Sequence, residues 1–166
     1  MRSLTRYLVA GLICSLLGTF MWASNAQTPT AEIGVHVVGD VQQEMLLSRA
    51  DLLRLPQQQV LVDGKTYSGV LLWDVLMAAR LAPASGLKNP TLSMYVVAKA
   101  SDGYQALFSV PELDPAYGAR RVLLAHSLDG QALPPASGPV RLVVPDDAKP
   151  SRAVFHLALL EVKAAR

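Results

Sequence analysis

Three Asp-Gly dipeptides, at residues 63–64, 102–103 and 129–130, restrict the fold of this 166-residue chain more than any other feature. Each follows or separates segments in which β-branched, aromatic and aliphatic residues dominate. Asp-Gly in that setting favours a tight turn, because glycine adopts positive φ without strain and aspartate tolerates it. The sequence therefore predicts short strands that are joined by local turns.

Capping patterns and apolar periodicity predict the helices. Ser48 with Asp51, and Ser109 with Glu112, form capping boxes that predict the starts of two short helices, the first of about two turns. Residues 71–81 have apolar side chains at helical spacing and predict a largely buried helix. The predicted strands are residues 33–41, 57–62, 65–70, 91–100, 104–110, 120–128, 140–145 and 153–162. Short strands with two or three short helices indicate a single α+β domain with a β-rich mixed sheet core.

Residues 1–26 have the pattern of a secretory signal peptide. Two arginines precede an uncharged apolar run. The small residues Ser24 and Ala26 have the spacing that signal peptidase recognises, which predicts cleavage before Gln27. The run is short for a membrane span, which needs about 20 apolar residues. We therefore expect an exported protein, periplasmic or secreted, with one domain over residues 27–166 and no stable membrane span after cleavage. An uncleaved N-terminal anchor is the alternative.

Export would change the charge and the cysteine content of the chain. It would remove Arg2, Arg6 and Cys14, which is the only cysteine. The remaining chain would have 13 Lys and Arg against 13 Asp and Glu, and hence no net charge. This balance argues against nucleic-acid binding, which needs a basic face. Without a cysteine the domain would have no disulfide, thiolate metal ligand or cysteine nucleophile.

Candidate functional residues come from local patterns, because the sequence contains no nucleotide-binding, serine hydrolase or zinc protease motif. Asp102 and Tyr104 are two residues apart and would point to one face of a strand. A tyrosine there can donate a proton to a ligand, and the aspartate can orient it. The simpler interpretation is that Asp102 closes an Asx-turn while Tyr104 packs.

The histidines and one aspartate pair allow two interpretations each. His36, His126 and His156 each stand alone in an apolar predicted strand, so a half-buried residue with one hydrogen bond is the simpler interpretation than a metal ligand. Asp146 and Asp147 could hold a hard cation, but adjacent aspartates between prolines more often cap a turn. We predict no metal site from these residues.

Arg141 is a charged residue inside an apolar predicted strand, between Val140 and Leu142. Such an arginine either reaches the surface as a structural residue or pairs with an anion, for which the bidentate guanidinium suits phosphate or carboxylate. The residues alone favour the structural interpretation.

Five segments in order resemble the oxidoreductase molybdopterin-binding domain of the sulfite oxidase family. They are ADLLRLP, TYSGVLLWDVLMAARL, ASDGYQALFSVPEL, LLAHSLDGQALPPASGPVRLVVP and LALLEV, and the likeness runs from about Val41 to Val162. The resemblance implies a mixed α+β fold whose β-rich core wraps a pterin-bound molybdenum cofactor. It also implies that Tyr104 matches an active-site tyrosine of the family and that Arg141 lies near the cofactor or substrate pocket.

The sequence departs from this family at its metal ligand. The resemblance implies a cysteine thiolate on molybdenum, placed before the helix at 71–81, but the corresponding QQQVLVDGKTYS has no cysteine. Molybdenum is therefore doubtful, although molybdopterin could still bind through hydrogen bonds. We expect a non-catalytic pocket near Asp102, Tyr104, His126 and Arg141 that binds a small anionic or pterin-like ligand or a periplasmic protein partner. The alternatives are a molybdenum oxidoreductase with a ligand such as His126, and a purely structural or interaction module.

Overall fold

The computed structural model describes residues 34–83, 85–86 and 88–165. The predicted signal peptide and its cleavage site lie outside these residues. The strands are β1 Val35–Gly39, β2 Met45–Leu47, β3 Gln57–Val62, β4 Lys65–Leu71, β5 Met94–Ala100, β6 Gln105–Ser109, β7 Leu123–Leu128, β8 Gln131–Ala132, β9 Arg141–Val143 and β10 Leu157–Ala164. The α-helices are α1 Arg49–Leu52, α2 Leu72–Ala79 and α3 Val110–Leu113, and 3-10 turns span Pro90–Ser93, Pro135–Ser137 and Pro150–Arg152.

The strands form two sheets. The first has the order β2-β1-β10-β5-β6, and the second has the order β3-β4-β7-β8, with β9 paired to the other part of β7. Only β1 and β10 pair in parallel, whereas the other pairs are antiparallel. The predicted α+β class with a β-rich mixed sheet core is therefore confirmed.

The three Asp-Gly turns join neighbouring strands, as predicted. In two of them both residues have positive φ, which is 51° for Asp63 and 73° for Gly64, and 49° for Asp129 and 77° for Gly130. A two-residue turn of this kind matches the right-handed twist of a hairpin. In the turn between β5 and β6 only Gly103 has positive φ, at 92°.

Both predicted capping boxes start helices. The Ser48 side chain accepts from the Asp51 backbone, and the Asp51 carboxylate accepts from the Ser48 N–H at 3.1 Å. Ser109 and Glu112 repeat this arrangement at α3. Each N-cap side chain accepts a hydrogen bond from a backbone N–H that has no partner within the helix. This explains why even four-residue helices begin at the two capping boxes. The prediction of two turns for α1 was wrong, because the helix ends at Leu52.

The hydrophobic core lies between the two sheets and α2. The larger cluster joins residues of both sheets, including the fully buried Phe108, Leu124, Leu142 and Leu160. Each such side chain contributes about 1.5–3 kcal/mol when it leaves water. A smaller cluster covers the other face of the second sheet and contains Val60, Tyr67, Leu123, Ala125, Leu133 and Val143.

The structure differs from the predicted elements at several places, three of which have a clear physical reason. The three-residue strand β2 is too short to show a period-two pattern, and no strand was predicted there. Residues 90–93, largely predicted as strand, form a 3-10 turn that starts with Pro90. The last strand begins at Leu157 rather than at residue 153, because His156 has a left-handed φ of 46°. No helix within the described ranges is long and apolar enough to cross a membrane.

Candidate functional site

The turn between β5 and β6 holds Asp102 and Tyr104 together. The Asp102 carboxylate accepts a hydrogen bond from the Tyr104 backbone N–H at 2.9 Å, which is an Asx-turn. The Gly103 N–H donates to the Ala100 carbonyl at 3.1 Å and closes the turn. The Asp102 carboxylate thus has the structural role that was the simpler of the two interpretations.

The Tyr104 side chain links this turn to a distant segment of the chain. Its hydroxyl donates to the carbonyl oxygen of Ser151, in the 3-10 turn Pro150–Arg152. The tyrosine is still 47% exposed, so its ring is available to solvent while its hydroxyl proton is committed. The hydroxyl oxygen retains lone pairs and can accept a further hydrogen bond.

A cleft of about 490 Å³ opens between the turn and this segment. A cleft of this volume is large enough for a small organic ligand. Its lining is mainly apolar and aromatic with a few polar groups, and it consists of Ala100, Asp102, Tyr104, Ala136, Pro150, Ala153, Phe155 and His156.

His156 ties three segments together at the cleft. Its ring Nε2 lies 3.1 Å from the Ala136 carbonyl oxygen, its backbone N–H donates to Ser137 at 3.1 Å, and its carbonyl accepts from Ser101 at 3.0 Å. Gly138 packs so closely that a Cβ there would lie 2.7 Å from the His156 Cα. A left-handed conformation costs a non-glycine residue about 1–3 kcal/mol, and these contacts hold it in place.

Arg141 lies next to the cleft without lining it. Its guanidinium carbon is 3.9 Å from the centre of the Phe155 ring and 5.2 Å from the centre of the Tyr67 ring. Burial lowers the pKa of its guanidinium, and the buried Nε has no hydrogen-bond partner in the described part of the chain. No carboxylate of the described residues forms an ion pair with it. Phe155 lines the cleft and also stacks on Arg141, which places the positive charge of Arg141 next to the cleft.

His126 does not line this cleft. It is only 6% exposed, and its Nε2 lies 2.9 Å from Gln57 Oε1. The Gln57 amide nitrogen donates to the carbonyls of Leu52 and Leu55, both at 2.8 Å, so Oε1 must accept and Nε2 of His126 must donate. Burial and the nearby Arg49 charge lower the pKa of His126. The structure thus brings Asp102, Tyr104 and, through Phe155, Arg141 together, and leaves His126 apart.

Asp147, one of the two adjacent aspartates, also has structural partners. Asp147 receives two hydrogen bonds from Arg152, at 2.8 and 2.6 Å, and one from Arg120 at 2.8 Å. Arg152 also contacts both Glu112 carboxylate oxygens, at 3.3 and 3.4 Å. The Arg152 hydrogen bonds hold the pKa of Asp147 below its usual value. This charge cluster stabilises the segment that carries Ser151.

A molybdenum site requires a set of grouped donor side chains. Within residues 34–83, 85–86 and 88–165, no three His, Cys, Asp or Glu side chains are grouped to hold a metal ion. The interval in which the resemblance implies a cysteine is the β3–β4 hairpin, where Val62 pairs with Lys65 across a two-residue turn. Cys14 is the only cysteine of the chain and lies outside the described residues.

The comparisons with known proteins place the chain in a family. The model of the oxidoreductase molybdopterin-binding domain matches residues 62–150, more than half of the 166 residues. The chain belongs to this family. A search of curated proteins found no match.

A solved structure shows the same fold. The domain is similar to the sulfane dehydrogenase SoxCD from Paracoccus pantotrophus, with a TM-score of 0.62 and 20% sequence identity. The similarity covers 80% of this chain and 39% of that chain, so this protein spans about two-fifths of the length of its structural neighbour. The resemblance that was derived from the five sequence segments is therefore confirmed at the level of family and fold.

Family membership raises the question of whether the residues present fit the molybdenum cofactor. They do not fit the metal, because the described domain offers no thiolate and the hairpin leaves no loop to carry one. The cleft at the Asp102–Tyr104 turn is a separate feature and does not depend on that ligand.

The sequence does not assign Phe155 and His156 to the cleft. It predicts Phe155 only as part of an apolar strand, and His156 as a single histidine within it. Three polar contacts of His156 join segments that are far apart in sequence, so no local pattern could show them. The available signal was that His156 is the one polar residue in the apolar run of residues 153–160.

Proposed function

We propose that this chain is an exported, non-catalytic member of the molybdopterin-binding domain family, and that its cleft binds a small anionic or pterin-like ligand. The observation that carries the proposal is the combination of a closed hairpin without a thiolate and an open cleft at the family's tyrosine segment. No thiolate ligand lies within the described residues while the pocket is present, and this combination favours binding over redox catalysis.

The chemistry of the cleft supports a planar anion. Phe155 and Tyr104 are 44% and 47% exposed, and their rings can stack on a flat heterocycle. Arg141 stacks on Phe155 and has no carboxylate partner among the described residues, so its positive charge is not neutralised and can attract an anion that stacks on Phe155. A pterin with a carboxylate or phosphate substituent combines both features.

The polar groups of the cleft can orient such a ligand. The Tyr104 oxygen can accept a hydrogen bond, because its proton goes to Ser151. The Asp102 carboxylate has one oxygen on the Tyr104 N–H, and its other oxygen can accept from an amino group of the ligand. These acceptors suit the donor-rich amino-pyrimidine edge of a pterin.

The first test is elemental analysis for molybdenum, with pterin fluorescence, on protein purified from a periplasm that makes the cofactor. We expect less than stoichiometric molybdenum. Near-stoichiometric molybdenum would overturn the non-catalytic proposal and favour the alternative of an oxidoreductase with a non-cysteine site.

The second test measures ligand protection with 6-carboxypterin as the probe. A ligand at 100 times its Kd stabilises the folded state by about 2.7 kcal/mol, which raises Tm by about 5–10 °C for a domain of this size. We expect Phe155→Ala to lose this protection. The matched control is Leu107→Ala, since Leu107 is 55% exposed on β6 and does not line the cleft.

The result separates the remaining alternatives. Protection that both variants retain would place the ligand elsewhere. No protection by 6-carboxypterin, and none by inorganic phosphate or sulfate, would contradict the ligand-binding proposal and favour a structural or interaction module.

A further inference from the structure

The strand β3 presents an open edge on the second sheet. It is the terminal strand of the order β3-β4-β7-β8, and no described strand pairs with its other side. The Asp63-Gly64 turn has two residues, so the Val62–Lys65 pair is a hydrogen-bonded pair. Hydrogen-bonded and non-hydrogen-bonded pairs alternate along an antiparallel ladder, so Gln59 and Leu61 belong to non-hydrogen-bonded pairs. Their backbone N–H and carbonyl groups therefore point away from β4.

Two contacts support this direction independently. Thr66, opposite Leu61, receives Asp129 N–H on its carbonyl at 2.8 Å and donates its own N–H to the Asp129 carboxylate at 2.8 Å. The Thr66 N–H and carbonyl therefore form their hydrogen bonds on the side of β4 that faces away from β3. The Gln59 carbonyl accepts from Arg121 Nη2 at 2.9 Å, so this oxygen does point to the open edge.

Apart from Arg121 on the Gln59 carbonyl, this edge lacks the usual protection of edge strands. Proteins protect such edges with proline, lysine or β-bulges. β3 contains no proline and no charged residue, and its pairing with β4 runs in continuous register from Gln57 to Val62. Leu61 is 69% exposed, the highest exposure among the large exposed hydrophobic residues of the described chain.

Arginine side chains supply positive charge near the edge. Arg121 donates to the Gln59 carbonyl, and the Arg49 charge contributes to the lowered pKa of His126, the hydrogen-bond partner of Gln57. Both arginines are exposed, and neither forms a salt bridge with a described carboxylate. An incoming strand with acidic side chains would therefore meet complementary charge.

We propose that β3 is a docking edge for an extended acidic peptide segment of a partner protein, which adds as a further strand of the second sheet. The partner's backbone N–H replaces Arg121 on the Gln59 carbonyl, and the released Arg121 pairs with a partner carboxylate. The Gln59 and Leu61 N–H groups donate to the partner's carbonyls. This edge is separate from the cleft, so the inference does not depend on the proposed ligand.

A second copy of the chain fits the edge less well. If two β3 strands paired antiparallel about a two-fold axis near Gln59, both Arg121 guanidinium groups would lie near that axis. Like charges directly opposite each other destabilise strand pairing. The charge pattern thus favours an acidic partner over self-association.

The test is an NMR titration of the ¹⁵N-labelled protein in the form that the expression host produces. The probe is a capped octapeptide of alternating glutamate and valine. We expect saturable amide shifts centred on Gln59 and Leu61, with a Kd of about 1 mM or tighter. Hydrogen exchange at these two amides should be fast in the free protein and slow in the complex. The matched lysine–valine octapeptide should not bind.

Two variants at one position isolate the backbone contribution. Gln59→Pro removes the outward N–H without removing a β3–β4 hydrogen bond, whereas Gln59→Ala keeps the N–H and loses the same side-chain contacts. We expect binding by Gln59→Ala and not by Gln59→Pro. Arg121→Gln should weaken binding about two- to fivefold, as the loss of an exposed ion pair does.

Four results would overturn the proposal. They are the absence of saturable shifts, equal binding of the lysine peptide, equal binding by the two Gln59 variants, and protection of the Gln59 and Leu61 amides in the free protein. If that protection depends on protein concentration and sedimentation shows a dimer, a second copy occupies the edge. The exchange measurement on the unmodified chain keeps the test decisive even if Gln59→Pro does not fold.

Discussion

The ion pair between Arg152 and Asp147 should contribute strongly to the stability of the cleft wall. Its two parallel hydrogen bonds of 2.8 and 2.6 Å form a bidentate contact, and only 12% of the Asp147 side chain and 31% of the Arg152 side chain are exposed. Exposed pairs contribute about 0.2–1 kcal/mol, and removal of one partner of a buried pair costs about 3–5 kcal/mol. We therefore expect a coupling energy of about 2 kcal/mol.

A double-mutant cycle with Arg152→Met and Asp147→Asn measures this coupling by urea unfolding at pH 7. The control is Arg54→Met, which breaks the exposed pair with Asp51, where 79% and 39% of the two side chains are exposed. The control should cost less than about 0.5 kcal/mol. A coupling between Arg152 and Asp147 below about 0.5 kcal/mol would refute the reasoning.

The pH dependence gives a second readout of the same pair. The pKa of Asp147 is lower in the folded protein than its usual value near 4, chiefly because Arg152 donates hydrogen bonds to the carboxylate. The unfolded chain therefore takes up this proton first as the pH falls. The stabilisation should be fully present above about pH 4 and lost as the pH falls through the folded pKa. The stability difference between the native chain and Asp147→Asn should shrink over that range.

Three further predictions concern single positions. Gly69→Ala should destabilise by about 3 kcal/mol or more in urea unfolding, because a Cβ would lie 2.0 Å from the Leu124 carbonyl oxygen. Tyr104→Phe should cost about 0.5–1.5 kcal/mol through loss of the bond to Ser151. The pKa of His126 is lowered by burial, so its contribution to stability is present above about pH 6.5 and falls below it; His126→Gln should reduce the drop in Tm between pH 7.5 and 5.5.

Each of these has an outcome that would contradict it. Full stability of Gly69→Ala would mean that β4 and β7 are not in the close contact described here. Unchanged unfolding of Tyr104→Phe would show that the hydroxyl does not bind Ser151 in solution. An equal drop in Tm for His126→Gln and the native chain would assign the acid sensitivity to other groups.

Local features of this fold could be predicted from the sequence. The Asp-Gly turns and the two capping boxes involve atoms within three or four residues, so their residue types identify them directly. The Asp102 Asx-turn is local for the same reason. The family likeness then indicated which α+β fold the strands form, which turn and cap signals alone could not give.

Non-local features could not be predicted in this way. Asp147 and Arg120 are 27 residues apart, and Arg152 and Glu112 are 40 apart, so the charge cluster is visible only once the strands are paired. Asp147 therefore looked like an exposed cap residue or a cation ligand. The simpler interpretation of His126, a largely buried residue with one hydrogen bond, agrees with the structure, but its partner Gln57 is 69 residues away and could not be identified from the sequence.

The separation between core and cleft determines how the functional tests can be interpreted. Residues of both sheets already fill the core between them, with Phe108 and Leu124 fully buried, so the cleft is a feature of the surface. Phe155 is 44% exposed, and its replacement should cost much less than the 3–5 kcal/mol of a buried phenylalanine. A Phe155→Ala variant that keeps most of its stability but loses protection by 6-carboxypterin would therefore report on binding. The same loss together with complete unfolding would instead show that the cleft is part of the core.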